Sequence, residues 1–531
     1  EKHEYLSLVS SGNLLVGNNI EMGENGVLQL VAGNNLLVDG AISAKELRII
    51  LNSGKLDRDI RLTDLNVGRL YLEMDGRTVT VKNATDLTIL SDTKVGSIFV
   101  DNTNKGSVTI EGEMTVTDKA IIKSSGAIDL GANTLSAGSL VLEADNGNIA
   151  GSFEAESVEL FATGGSIDVE SKLDHSTVLG ATGIGVNIAS DGALMVGTNN
   201  RSVFVYDNDF LRMQVYEKVG SRSDTRLVDG YGRFYKKNID NDGNAILVPL
   251  AYDVDVSNYK PRMQTLIDSN GGPLTLKSNS GDLQVLGSMT SQGGNGKGGD
   301  VSLVSENNLE FSSGGSIYSE GGNIVIVSDQ DGDAAKGQGA LLMREGSEVD
   351  ADNGSITMKG TGDITVGRVN SDGEIQLNSR DGNLDLGEHT VTAGTLVLVA
   401  KGGSIEGAID ASTVDLNAAG KVAISSKADH LILLGAKGDG VSVTAEGKLS
   451  VGDVGNGDLV IDSNGSDLEL HAEGGDLKVN GAISSGGGQI SLKAENNLEL
   501  GAAGSLKSFG GAVELRSDSD GDAVEGEGRL K

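Results

Sequence analysis

The chain has 531 residues with 42 Lys and Arg against 76 Asp and Glu, a formal charge of −34, and it contains 78 glycines, three prolines and neither Cys nor Trp. Such a polyanion offers no phosphate-neutralising face, which argues against nucleic acid and against an anionic membrane surface and favours solubility and an affinity for cations. No disulfide holds the fold, and no run of 18 apolar residues exists to span a membrane.

From Gly12 onward, short apolar runs alternate with Gly, Asn, Asp and Ser: Leu14-Leu15-Val16, Val27-Leu28-Gln29-Leu30-Val31, Leu36-Leu37-Val38 and Leu47-Arg48-Ile49-Ile50. Period-2 runs of this length between turn residues read as strands, and no stretch sustains a 3.6-residue apolar stripe. The chain is therefore expected to be all-β. Its apolar residues are mostly Val, Leu, Ile and Ala, which suit a narrow core, while Gly, Asn, Asp and Ser supply the turns.

A longer period overlies the strands. Gly12–Ser43 matches Gly447–Ser484, Asp129–Gly197 runs parallel to Asp385–Gly452, and Glu306-Asn307-Asn308-Leu309-Glu310 recurs as Glu495-Asn496-Asn497-Leu498-Glu499. The offset is 256 at Asp129/Asp385 and 189 at Glu306/Glu495, so one supercycle of roughly 190 residues recurs. Most of the difference between the offsets falls in one place. Gly197 is followed after 69 residues by Ile267-Asp268-Ser269-Asn270-Gly271, whereas Gly452 is followed after only eight by Ile461-Asp462-Ser463-Asn464-Gly465, a difference of 61. The expected organisation is a first repetitive part, 1–198, an inserted β-rich subdomain, 199–266, and a second repetitive part, 267–531. The start at Glu1-Lys2-His3 and the stop in mid-pattern read as a piece of a longer repetitive chain.

A sandwich duplicated in tandem would need long cross-connections and larger aromatic core residues. Short strands, tight turns and branched core residues instead predict a β-solenoid, with coils of roughly 20–25 residues each rising about 4.8 Å and about 20 coils in a rod of about 100 Å. The phrases Gly165-Ser166-Ile167-Asp168-Val169 and Gly403-Ser404-Ile405, with the turn from Asp331-Gly332-Asp333 to Leu341, resemble the filamentous-haemagglutinin-like giant bacterial adhesins and exoproteins. That resemblance covers 1–198 and 267–531. It implies a right-handed parallel β-helix forming a surface rod or fibre, although that family's amino-terminal secretion module is not recognisable.

Candidate metal ligands lie in acidic turns. Asp329-Gln330-Asp331-Gly332-Asp333 recurs as Asp518-Ser519-Asp520-Gly521-Asp522, and Asp240-Asn241-Asp242-Gly243-Asn244 forms a third such loop. Alternate carboxylates at a turn can converge on a hard cation, and Ca²⁺ takes six to eight oxygens. The glycine is fourth rather than sixth and no Glu stands twelfth, so this is no EF-hand; a solvated turn is the competing reading. Gly293–Gly298 carries Gly where the nonapeptide calcium repeat needs Asp and reads as a turn. His175 and His430 are equivalent in the supercycle and, lacking a second His or any Cys nearby, read as turn or outer-face residues.

The insertion differs chemically from its frame. It holds nine of the 17 Phe and Tyr residues, and ten Lys and Arg against nine Asp and Glu between Arg201 and Arg262. Tyr231, Arg233, Phe234, Tyr235, Lys236 and Lys237 set three aromatics beside three cations, a composition of binding hot spots and cation–π contacts. These residues are the expected partner-binding site, though the aromatics could equally form the core of the insertion. No other stretch of basic and aromatic residues along the repeats reads as a sugar-polymer site, so the chain is expected not to be an enzyme. The functional expectation is an extracellular or cell-surface structural and adhesive rod, with calcium as its one candidate cofactor. Its partners would be other copies of itself or a cell-surface protein or glycan. A self-assembling filament or sheath subunit and a β-helical polysaccharide lyase or hydrolase are the alternatives.

Overall fold

The computed structural model describes residues 4–52, 59–104, 106–131, 134–197, 265–293, 297–333, 338–452, 459–519, 521 and 528–531, together with the backbone of six strand segments within 198–264. No helix is present among the described residues. Forty-four strands join in one sheet system of parallel pairs, wound as a β-solenoid of about 20 turns.

Most strands alternate a buried with a partly or fully exposed residue, as in Leu274–Ser278 and Ile167–Ser171. Because stacking is parallel and in register, like sits on like. Leu274, Val301, Ile324, Ile356, Ile375, Leu396, Val414 and Leu433 form one inward column through eight successive coils. Leu28, Leu47, Leu70, Ile89 and Ile110 form another nearer the start, and every member of both is at most 1% exposed. Parallel sheets in α/β folds are covered on both faces. Here only the inner face is apolar, which is why the strands alternate instead of reading as unbroken apolar runs.

The corners explain the turn phrases. At one corner the residue before the inward Leu or Ile accepts a hydrogen bond from the backbone of the next coil. Asn383 N–H donates to Asp363 Oδ1 at 2.7 Å, Ser404 N–H to Asn383 Oδ1 at 2.9 Å, and Lys421 N–H to Ser404 Oγ at 3.0 Å. Short polar side chains thus continue the ladder where the backbone bends away, satisfying donors that the corner would otherwise orphan. The preceding glycine lets the coils approach: a Cβ on Gly403 would lie 2.5 Å from the Gly382 carbonyl oxygen. At another corner the inward position narrows to small residues, with Ser171, Ser190, Ser278 and Ser305 stacked and fully buried. Ser278 Oγ donates to the Gly192 carbonyl at 2.8 Å, so the hydroxyl is satisfied inside the core. In the next supercycle the equivalent column is Ser426, Ala445, Ala472 and Ala494.

The solenoid crosses the insertion point without a gap. Gly197 N–H donates to the Val178 carbonyl at 2.8 Å, and Gly452 N–H donates to the Leu433 carbonyl at 2.9 Å at the same place in the later copy. Both glycines have positive φ, 84° and 74°, the left-handed turn by which the chain leaves the strand. Beyond the insertion Ile267 pairs with Ala181 and Leu274 with Val186, as Ile461 pairs with Ala436 and Leu468 with Val441. Within 204–261 the strands Phe204–Asp207, Leu211–Lys218, Ser221–Val228, Phe234–Ile239, Ala245–Pro249 and Tyr259–Pro261 pair antiparallel and only with one another, as a separate six-stranded sheet.

Candidate functional site

Coil length varies, and the excess collects in particular turns. The strand Val301–Ser305 reaches the next strand, Leu309–Phe311, across three residues, whereas one coil later Ile324–Val327 reaches Leu341–Met343 across residues 328–340. This lengthened corner carries Asp329, Asp331 and Asp333. Its stem is pinned on both sides: Ser328 Oγ donates to the Gly339 carbonyl at 2.9 Å, and Asp329 N–H and Gln330 N–H donate to the Asn307 and Ser305 carbonyls. Asp329 and Gly332 take positive φ, 56° and 68°, which folds the turn back on itself.

The three carboxylates each bring one oxygen within 4.8 Å of the others, with Asp329 buried and Asp331 and Asp333 exposed. Thr361 Oγ donates to the Asp329 carboxylate, Asp333 N–H donates to Asp331 Oδ1 at 3.0 Å, and Arg380 Nη1 donates to the Gly332 carbonyl at 2.6 Å. A fourth carboxyl joins from the preceding coil. Burial, followed by the charge of Asp331 and a hydrogen bond with it, raises the pKa of Glu306 above the ordinary carboxylate range. Four acids gather at one corner and repel one another, Arg380 and Lys277 lie close by, and a hard divalent cation could offset the negative charge further. Asp329, Asp331 and Asp333 are the residues that could hold it.

Glu306 was not singled out from the sequence as a site residue, because it lies 25 positions before Asp331. The signal was nonetheless there: Glu306 opens the Glu-Asn-Asn-Leu-Glu phrase one coil below the acidic turn, and Glu495 stands likewise before Asp518.

Of the second acidic turn, Asp518 repeats the geometry of Asp329. It has a φ of 53°, its N–H donates to the Asn496 carbonyl and Ser519 N–H donates to the Ala494 carbonyl, while Gly521 takes a φ of 76°. Asp520 and Asp522 lie outside the described residues, as do Asp240, Asp242, Asn244, Tyr231 and Arg233. Phe234, Tyr235, Lys236 and Lys237 lie on the strand Phe234–Ile239, whose backbone pairs with Leu227–Val228 on one side and Ala245–Pro249 on the other. His175 and His430 are the exposed first residues of equivalent strands, and His430 Nε2 lies 2.9 Å from Ser450 Oγ.

Fold and corner chemistry define a β-solenoid repeat protein. No protein-family model, curated protein or solved structure matches the chain.

A cation held by the acidic turn has a measurable consequence. Calcium at about a hundred times its dissociation constant is expected to stabilise the protein by about 2.7 kcal/mol. The melting temperature should fall when a chelator is added, and Asp331→Asn should remove that sensitivity while leaving the Asp329–Thr361 contact in place. A melting temperature indifferent to both calcium and chelator would dismiss the metal.

Proposed function

We propose that this chain is part of the shaft of an extracellular or cell-surface structural and adhesive fibre, and that the segment 199–266 contacts the partner, a second copy or a surface protein or glycan. The observation that carries the reading is the unbroken stack across the insertion point. Leu274 sits directly on Val186 although 88 positions separate them, so the coil does not need the inserted residues to close. A shaft that tolerates so large an excursion can present it sideways at a fixed height.

Composition supports the same division of labour. The frame carries the excess negative charge, which keeps parallel rods apart and soluble. The inserted segment is near neutral and rich in aromatic residues, and so lacks that repulsion. The reading also accounts for repetition, since reach grows with every coil added while each coil contacts only its neighbours.

Deletion of residues 200–262, which leaves a link about as short as the one after Gly452, is the test. The shortened chain is expected to keep its circular dichroism and its melting temperature within a few degrees, and to lose self-association in sedimentation and retention on immobilised cell-surface material. Unchanged attachment would remove the insertion from the proposal. Ordered filaments seen by electron microscopy for the intact chain alone would identify a second copy as the partner.

A further inference from the structure

The outer face of the first coils carries a groove that the linear sequence conceals. Arg48 stands in register with Tyr71 on the next coil, Leu90 lies on the coil after that, and Glu111 stands in register with Leu90 one coil further on; Arg69 lies beside Tyr71, and Asp92 turns the corner after Leu90 with a φ of 61°. Together these side chains line a cavity of about 300 Å³. That is the lower end of the size range of small-molecule sites. Because the column rises coil by coil, the groove runs along the rod axis for three steps of about 4.8 Å, or about 14 Å.

Its polar groups are held in place before any ligand arrives. Arg69 bridges two coils, with Nη2 2.8 Å from Glu111 Oε2 and Nε 3.4 Å from Glu46 Oε2. The Arg48 guanidinium is paired with Glu46 and lies 5.6 Å from the centre of the Tyr71 ring, and the Tyr71 hydroxyl donates to Glu73 Oε2 at 3.0 Å. Charge decides which ligand fits. Within the groove two guanidinium groups face two carboxylates, Asp92 and Glu111, and Glu46 and Glu73 add negative charge at its edge, so no cation is left over for an anion. An apolar peptide side chain would want an apolar pocket, and Leu90 with the Tyr71 ring offers only a narrow strip. Fixed planar donors and acceptors beside one aromatic ring match a ligand with many hydroxyls and an apolar ring face.

We propose that the groove lined by Arg48, Arg69, Tyr71, Leu90, Asp92 and Glu111 binds a linear, uncharged glycan lying along the axis of the solenoid. The carboxylates accept from its hydroxyls, the guanidinium groups donate to its oxygens, and Tyr71 contacts its C–H face. This is a second attachment point, independent of the inserted segment.

Isothermal titration of the whole chain with short linear gluco-, manno- and galacto-oligosaccharides, and with oligogalacturonate of the same length, is the experiment. At least one neutral oligosaccharide should bind, and both Tyr71→Ala and Arg48→Ala should weaken it about tenfold or more with the circular dichroism unchanged. Phe509→Ala, at an exposed aromatic far along the chain, should leave it alone. Binding should survive deletion of residues 200–262, which separates this site from the one proposed for the insertion. Absence of binding by every neutral oligosaccharide, equal binding by Tyr71→Ala, or a preference for oligogalacturonate would overturn the assignment.

Discussion

Replacing Phe311 by alanine is expected to lower the unfolding free energy by about 3–5 kcal/mol. Phe311 is fully buried, and with Phe153 it is the largest side chain so placed among the described residues. It is stacked between Val285 on the coil before and Met343 on the coil after. A core built of single columns has little means of collapsing onto a void, because each backbone is held in register by the coils on both sides; the removed ring therefore leaves a cavity instead of a rearrangement. Phe311→Leu is expected to cost under about 1.5 kcal/mol, since the equivalent place one supercycle later is occupied by Leu500. A repeat protein need not unfold in one step, so the effect is best read locally. Hydrogen exchange should accelerate in Leu283–Val285 and Leu341–Met343 well before it does in Leu468–Ala472. Uniform acceleration along the rod would show that the stack does not behave as a chain of nearest neighbours.

Gly192→Ala is expected to destabilise by about 1–3 kcal/mol, although an alanine there would add only a methyl group. The position requires no left-handed backbone. Its constraint is proximity: a Cβ would fall 1.8 Å from the Asp174 carbonyl oxygen. That oxygen accepts the hydrogen bond from Ala193 N–H at 2.8 Å which starts the next strand, and so cannot move away without breaking the ladder. Gly447 repeats the arrangement, with its Cβ position 2.2 Å from the Asp429 oxygen and Lys448 N–H bonded to that same oxygen at 2.9 Å. By contrast, alanine at Gly12, with nothing within 4 Å of its Cβ position, should be nearly neutral. Chemical denaturation of Gly192→Ala, Gly447→Ala and Gly12→Ala tests the comparison; equal stabilities for Gly192→Ala and Gly12→Ala would refute the packing argument.

Much of this architecture was legible because a solenoid writes its structure into its sequence at short range. Alternation fixed which residues of Leu274–Ser278 face inward, since side chains in a strand have a period of two. The repeated phrases showed 61 extra residues between Gly197 and Ile267, and Gly197 and its counterpart Gly452 both take positive φ. The role of phrases such as Gly382-Asn383-Leu384 and Gly403-Ser404-Ile405 was visible only as punctuation. That Asn383 and Ser404 each receive the backbone N–H of the next coil depends on two coils lying side by side.

Composition, period and turn chemistry by themselves determined an all-β solenoid, the location of its insertion and the acidic turns at Asp329 and Asp518. Only the tertiary structure decided which residues meet across coils: Glu306 with Asp331, and Arg48 with Tyr71 and Arg69 with Glu111. The physical reason is the uneven coil length. Ile356 stacks on Ile324, 32 positions earlier, whereas Val414 stacks on Leu396, only 18 earlier, so no fixed spacing identifies neighbours. Strand periodicity is a property of the local backbone; the register between coils is settled by how much chain each corner absorbs.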